Sequence, residues 1–202
     1  MQEAFIGNWT HQPHLSKQHL TSVSGLNRRF LDLAGKGILS PAWGTRIAPL
    51  SPPQRAAAAD CPYALFDLRF QDVAHWRGRL ESAGTSRIAD APRVDEDTVD
   101  FVRLALFYTW HVASSAGLAA HLLLGMHANT ADAFRRISVD ALPALASSEA
   151  VNLTPRWSQC HAYWSALINA AARPDPAALR RVQLSGLQLA AAAQLPSEPR
   201  EV

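Results

Sequence analysis

Concentrated charge is scarce in this sequence, and so is lysine. Only Lys17 and Lys36 are lysines among the 19 Lys and Arg residues, and no basic run is longer than two residues. The formal net charge is +2. A balance of this kind neither requires nor excludes nucleic-acid binding. The excess of Arg and Ala indicates a GC-rich bacterial genome, which concerns codon usage rather than function.

Cysteine is almost absent, since Cys61 and Cys160 are the only two and form no CxxC pair. One disulfide could not be the framework of a chain of 202 residues, so a reduced cytoplasmic setting is the simplest interpretation. The first fifteen residues lack a basic segment followed by an apolar one, and we therefore predict no signal peptide.

One uncharged run, residues 104–126, has the length of a membrane span. On a helix, however, Tyr108, His111 and His121 fall on the same side as Arg103, and a wide apolar face remains opposite them. This pattern favours a largely buried helix of a globular protein. We predict no association with a membrane.

The common catalytic motifs are missing, including GxSxG, GxxxxGK[ST], GxGxxG and HExxH. We therefore favour a non-catalytic protein without a cofactor or bound metal, and leave an enzymatic activity open. His111 and His121 are possible ligand-binding residues, but they stand about three helical turns apart and could not share one metal ion. The alternative function is a small-ligand-binding protein or enzyme with a pocket on the helix predicted over 97–127.

Hydrophobic periodicity and capping residues predict an all-α fold, a helical bundle with at most token strand. A single helical domain would span 16–195, between an irregular N-terminus (1–15) and a loose tail (196–202). A Gly-, Pro- and charge-rich link, 83–96, lies inside it. The predicted helices are 16–36, 51–60, 72–82, 97–127, 131–137, 138–148, 158–172 and 176–194.

The order of elements repeats between two possible halves, 16–82 and 97–172. Each would have a long helix, a short Ser-capped helix, an extended segment and a Trp-bearing helix. At an offset of 88 residues, Leu65, Gln71, Ala74 and Trp76 meet Leu153, Gln159, Ala162 and Trp164, and Arg69-Phe70 meets Arg156-Trp157 one residue out of step. Either the chain contains a duplication, or helical segments of one composition resemble each other.

The extended segment inside "CPYALFDLRFQDVAHW" (61–76) is predicted to be a structural joint between helices. Its alternating apolar residues would enter the core, Arg69 and Asp72 would fix the turn, and Trp76 would anchor the next helix. The predicted joint residues are Phe66, Leu68, Arg69, Phe70, Asp72 and Trp76, with Arg156, Trp157 and Trp164 at the fainter copy.

The segments "LNRRFLDLAGK" (26–36), "LSPPQ" (50–54) and "RFQD" (69–72) resemble the flagellar transcriptional activator subunit FlhD over residues 26–76. The resemblance implies a small, dimerising helical fold that works with a partner protein to activate transcription. This chain is nearly twice as long, and Phe66 stands where the family tends to have cysteine. The second half could then replace a dimer partner, which predicts a pseudo-two-fold axis between the halves.

These observations favour a regulatory or adaptor protein that acts through protein–protein contacts, with a protein partner or self-association. Transcriptional or motility regulation is the setting that the resemblance implies. Nucleic acid would then be reached through a partner. Direct DNA binding would need a contiguous basic face, for which the residues to watch are Arg28, Arg29, Arg135 and Arg136.

Overall fold

The computed structural model describes residues 16–82, 94–173 and 175–193. The described residues are 73% helical and form ten α-helices and one two-stranded sheet. The predicted all-α class is therefore confirmed. The predictions for residues 1–15, 83–93 and 196–202 lie outside the described residues.

The helices range from seven to 20 residues in length. In chain order they are α1 (Lys17–Gly35), α2 (Pro41–Ile47), α3 (Pro52–Ala59), α4 (Val73–Ser82), α5 (Glu96–Ser115), α6 (Gly117–Leu124), α7 (Ala128–Phe134), α8 (Leu142–Glu149), α9 (His161–Ala172) and α10 (Pro176–Ala192). Strand β1 (Phe66–Asp67) precedes α4, and strand β2 (Thr154–Pro155) precedes α9. Two 3₁₀ turns, Val139–Ala141 and Ala150–Asn152, flank α8.

Local sequence explains most of the helix starts. The Ser16 side chain accepts a hydrogen bond from the N–H of His19 at the start of α1. Ser51 and Gln54 form a capping box at the start of α3, and Pro52 occupies a first-turn position that needs no N–H donor. Asp175 accepts from two backbone N–H groups at the start of α10. These caps satisfy donors that helices leave free at their N-termini.

The single helix predicted over 97–127 is wrong beyond Ser115. Helix α5 ends there, Ala116 adopts φ −153° and ψ 73°, and α6 runs only from Gly117 to Leu124. The Ser115 hydroxyl bonds back to the carbonyl of His111, and Gly117 has the weakest helix propensity of any residue except proline. The Ser-Ser-Ala-Gly sequence therefore interrupts the apolar run.

Three shorter predictions also change. Helix α7 begins at Ala128, capped by His127, and not after Thr130. Ser138 caps a 3₁₀ turn, and α8 starts separately, so Pro143 lies in a first turn and kinks nothing. The segment 41–47, expected to be mostly turn, is the seven-residue helix α2.

One hydrophobic cluster contains buried residues from helices α1 to α9, and partly buried residues of α10 pack against it. Phe66 lies at its centre, with its ring centroid 6.0 Å from that of Phe30 on α1 and 5.1 Å from that of Phe101 on α5. Buried Asn27 on α1 donates to the carbonyls of Ala59 and Tyr63 and fixes the chain leading to β1. The core thus surrounds the small sheet.

The two strands pair antiparallel, with Phe66 opposite Pro155 and Asp67 opposite Thr154. Each strand lies 88 residues from the other along the sequence (66 to 154, 67 to 155). Exchanging the strands therefore maps the pairing onto itself. The elements before them are similar in order but not in number, since α1, α2 and α3 precede β1 whereas α5, α6, α7 and α8 precede β2.

Candidate functional site

The first joint is the turn that joins β1 to α4. Phe66, Leu68, Phe70 and Trp76 are all fully buried. Arg69 has a left-handed backbone (φ 58°) at the tip of the turn, which reverses the chain toward α4. The indole N–H of Trp76 donates to the carbonyl of Leu68 at 3.0 Å, so the helix is fastened to the residue just before the turn.

Arg69 and Asp72 lie on the solvent side of the same turn. Their charged groups are 2.5 Å apart. The backbone N–H of His75 donates to Asp72 at 2.9 Å and, with Arg69, holds the pKa of that carboxyl below its ordinary value. The Asp72 carboxylate therefore stays ionised and is unsuited to general-acid chemistry at neutral pH.

The second joint repeats this backbone 88 residues further on. Trp157 has the left-handed backbone there (φ 52°). The indole N–H of Trp164 donates to the carbonyl of Arg156 at 2.9 Å, as Trp76 does to Leu68. The sequence alignment placed Arg156 against Arg69, but the geometry places Arg156 against Leu68.

Each joint packs on the opposite half of the chain. The ring of Trp76 on α4 lies 4.7 Å from that of Phe134 on α7, and the ring of Trp164 on α9 lies 4.8 Å from that of Trp43 on α2. The N–H of Arg156 also donates to the carbonyl of Leu65 at 2.8 Å. The two Trp-bearing helices therefore each complete a core that the other half provides.

The side chains at the second joint differ from those at the first. Arg156 is only 6% exposed and its guanidinium lies 4.5 Å above the ring of Trp157. Its Nη1 donates to the carbonyl of Leu123 at 3.3 Å. Burial lowers the pKa of Arg156 to about 10, although nearby Asp67 opposes the shift.

An aromatic cluster flanks the first joint beneath α10. The hydroxyls of Tyr63 and Tyr163 are 3.1 Å apart, and Tyr63 donates to the carbonyl of Gln183. Burial raises the pKa of both phenols and raises the pKa of the neighbouring Cys61 thiol to about 12. All three groups stay protonated at neutral pH, so Cys61 is a poor nucleophile.

A charged cluster occupies the matching place beside the second joint. Glu149 is fully buried at the end of α8, 88 residues from Cys61. One of its oxygens lies 2.8 Å from Nε2 of His75 and accepts from Asn152 at 2.7 Å. The other lies 2.6 Å from Nε of Arg79, as an ion pair without hydrogen-bond geometry. This arrangement ties α8 to α4.

The two histidines predicted as possible ligand-binding residues do not line a common cavity. His111 is exposed on α5. His121 is half-buried on α6, with Nδ1 2.9 Å from the carbonyl of Met126. Two cavities, of about 490 and 390 Å³, lie instead between α9 and α10 and between α4 and α7. Neither is lined by these histidines.

The four arginines considered for nucleic-acid contact fall on two helices. Arg28 and Arg29 are exposed on α1. Arg135 caps the end of α7 and pairs with Asp132, whereas Arg136 lines the cavity between α4 and α7. Both regions also contain carboxylates, so the four arginines do not form a continuous positively charged surface.

The outward faces of α1 and α5 differ in chemistry. On α1 this face carries Arg28, Asp32 and Lys36. On α5 it carries Leu104 and Phe107, one helical turn apart and 40% and 37% exposed. We call these two residues the α5 patch. Leu118 and Leu122 are also exposed on α6, which follows α5 in the chain.

The described residues contain no group of three His, Cys, Asp or Glu side chains that could hold a metal ion. Among the helices described, none is long and apolar enough to cross a membrane. Both cysteines are free thiols. Comparisons with family models, with curated proteins and with solved structures found no match to this chain.

Sequence reasoning missed both clusters beside the joints. Their members are far apart in sequence and carry no motif, since Tyr63 and Tyr163 are 100 residues apart and Glu149 is 74 residues from His75. The one available signal was the offset of 88, which pairs Cys61 with Glu149 and His75 with Tyr163. Extending the alignment beyond identical residues would have shown that the two clusters occupy corresponding positions in the two halves.

Proposed function

We propose that this chain is a non-catalytic regulatory or adaptor protein that acts through protein–protein contacts in the cytoplasm. The α5 patch carries the proposal, because Leu104 and Phe107 are exposed to solvent on a helix whose opposite face is buried in the core. Neighbouring apolar side chains exposed on one helix face are typical of a contact surface. The free thiols of Cys61 and Cys160 support a reducing compartment.

The polar groups beside the joints support a structural role. Glu149, His75 and Arg79 contact one another and not an open cavity, and the phenols of Tyr63 and Tyr163 are held protonated by burial. The two phenols are therefore unsuited to proton transfer at neutral pH, and the Glu149 carboxylate is fully buried among its partners. The chemistry of the site therefore favours binding over catalysis.

The finer part of the proposal is that the chain is a single-chain counterpart of a two-fold dimer in a transcriptional or motility circuit. Three features recur at an offset of 88 residues: the paired strands, the left-handed turn residue and the indole hydrogen bond. A duplication would account for all three. The resemblance of residues 26–76 to FlhD supplies the regulatory setting.

An affinity capture from native lysate at low salt tests the contact function. The bait is the full chain, compared with a Leu104→Ser, Phe107→Ser variant, and mass spectrometry identifies bound protein and nucleic acid. We expect a protein that is retained by the unmodified chain and lost from the patch variant, because the substitutions remove the apolar contact surface.

The matched control is Arg28→Ser, Arg29→Ser on the polar face of α1. It should retain the same protein as the unmodified chain. A protein retained equally by all three baits would contradict the role of the α5 patch. Nucleic acid that is lost only from the arginine variant would replace the proposal with direct DNA binding.

A further inference from the structure

Helix α10 is attached to the rest of the protein along a narrow edge. Only Gly186 and Ala190 are fully buried among its 17 residues, whereas α1 buries seven of its 19. Leu184 and Leu187 point outward, 61% and 41% exposed. Since burial of apolar surface is the main source of stability, α10 contributes less to the fold than α1 does, although Leu179, Val182 and Leu189 are partly buried against the core.

The contact that holds α10 is specific in shape. The backbone carbonyl of Gln183 accepts a hydrogen bond from the Tyr63 hydroxyl at 3.2 Å. The side-chain amide of Gln183 donates to the carbonyl of Asp60 at 2.5 Å. A Cβ atom at Gly186 would overlap the ring and hydroxyl of Tyr63, which is itself fully buried. The surface under α10 therefore accepts a helix that carries glycine at this position.

Tyr63 and Tyr163 at that surface belong to a series of packed aromatic rings. Successive ring centroids lie 5.4 Å apart from Tyr63 to Trp157, 5.2 Å from Trp157 to Tyr163, and 5.8 Å from Tyr163 to Trp164. Tyrosine and tryptophan are the residues most enriched at the energetic centres of protein interfaces. We call the Tyr63, Tyr163 and Asp60 surface the α10 seat.

The packing of α10 on α9 is incomplete. An apolar cavity of about 490 Å³ lies between them, lined in part by Cys160, Ala166, Val182 and Leu189. Because this cavity opens to the surface as a groove, the facing side chains of the two helices make fewer dispersion contacts there. The closest contacts of α10 lie at the α10 seat, whereas Leu179, Val182 and Leu189 are only partly buried where they pack against the core.

We propose that α10 is a displaceable cover that occupies the α10 seat in cis, and that the seat receives a helix of a partner protein with glycine above Tyr63. The partner helix is the committed occupant because α10 shows what the seat accepts: a close helix backbone, a carbonyl above the Tyr63 hydroxyl and an amide donor toward Asp60. This surface is separate from the α5 patch, so α10 would regulate a second contact.

Hydrogen exchange on the unmodified full chain is the first test. If α10 opens while the core stays folded, its amides should exchange about 100-fold faster than those of the α1 and α5 interiors. Mass spectrometry of α10 peptides against α1 and α5 peptides measures this ratio. Exchange of α10 at the rate of the core would overturn the proposal.

A Gly186→Ala variant provides the second test. The added Cβ should release α10, raising its exchange about 10-fold or more while α1 and α5 remain protected. A labelled peptide of residues 175–193 should then bind the variant at least about 10-fold more tightly than the unmodified chain, whose seat is occupied. Leu184→Ala, at an exposed position of α10, is the control that should leave α10 in place.

Specificity is checked with the same peptide carrying Gly186→Leu, which should not bind. Equal binding of the glycine and leucine peptides would overturn the proposal, and so would a folded Gly186→Ala variant that keeps α10 fully protected. If Gly186→Ala does not fold, the exchange rates of the unmodified chain decide the question alone. The α5 patch variant should behave as the unmodified chain in every arm, which separates this test from that of the proposed function.

Discussion

The two joints have nearly the same backbone and very different side chains. Leu68 in the first corresponds to buried Arg156 in the second, and exposed Arg69 corresponds to Trp157. What they share is the strand, the left-handed turn residue and the indole hydrogen bond. The comparison teaches that backbone pairing and one tryptophan define the joint, whereas the residues around them are free to become aromatic or charged.

The largest effect on stability should come from replacing Leu68 by arginine, the residue at the corresponding position of the other joint. Leu68→Arg places a charge in a fully buried apolar site and should lower the free energy of unfolding by about 4 kcal/mol or more. Arg156→Leu should change it by no more than about 1 kcal/mol, because the site already penalises the charged form. Urea denaturation followed by circular dichroism measures both, and similar losses in the two variants would contradict the comparison.

Removing either indole should have the next largest effect on the free energy of unfolding. The effect should be similar at the two joints. Trp76→Ala and Trp164→Ala should each lower the free energy of unfolding by about 3–5 kcal/mol, because each deletes a fully buried ring and its hydrogen bond. Trp76→Phe and Trp164→Phe are the milder controls. A difference above about 2 kcal/mol between the two alanine variants would mean that the joints are not equivalent.

The two clusters beside the joints should differ in how much they stabilise the fold, and this difference should be smaller than the effects above. Glu149→Ala should cost about 2–3 kcal/mol, since His75 and Asn152 lose a buried acceptor and Arg79, already partly in solvent, is less affected. Cys61→Ala, at the corresponding position, should cost about 1 kcal/mol through lost packing and the loss of the weak hydrogen bond from its thiol to the carbonyl of Ala58. Thermal unfolding of both variants distinguishes the clusters, and a larger loss at Cys61 would reverse the order we expect.

The smallest effect should be at the turn residue. Arg69→Gly should leave stability within about 0.5 kcal/mol, because released backbone strain is offset by the lost surface ion pair with Asp72 and by the flexibility of glycine in the unfolded chain. Trp157→Gly has the same backbone change but should cost about 2–4 kcal/mol through lost aromatic packing. Denaturation curves of both variants measure this difference in stability. Equal changes in the two variants would contradict the prediction.

The sequence predicted what local patterns determine. Alternation of apolar residues indicated that Phe66, Leu68 and Phe70 face the core, and caps such as Ser16 and Ser51 located helix starts. The interruption at Ala116 was missed because the apolar periodicity continues through it, although Ser114, Ser115 and Gly117 together weaken the helix.

What the sequence could not supply is contact between distant residues. Nothing in the letters around Arg156 distinguishes it from exposed Arg69, and its burial follows from the position of Leu123 and Gly125 in another part of the chain. In the same way, the role of Gly186 depends on Tyr63, more than a hundred residues earlier. An isolated helical glycine reads only as a weak position until its neighbour is known.

The crossed packing of the tryptophans bears on how this chain folds during synthesis. Trp43 packs against Trp164, and Trp76 packs against Phe134 as well as against Phe70, so part of the aromatic surface of the first half is exposed until the second half has been synthesised. Contacts over such sequence separations slow folding and lengthen the exposure of apolar surface. Completion of the nascent chain past α9, rather than of each half in turn, is the step at which the core can close.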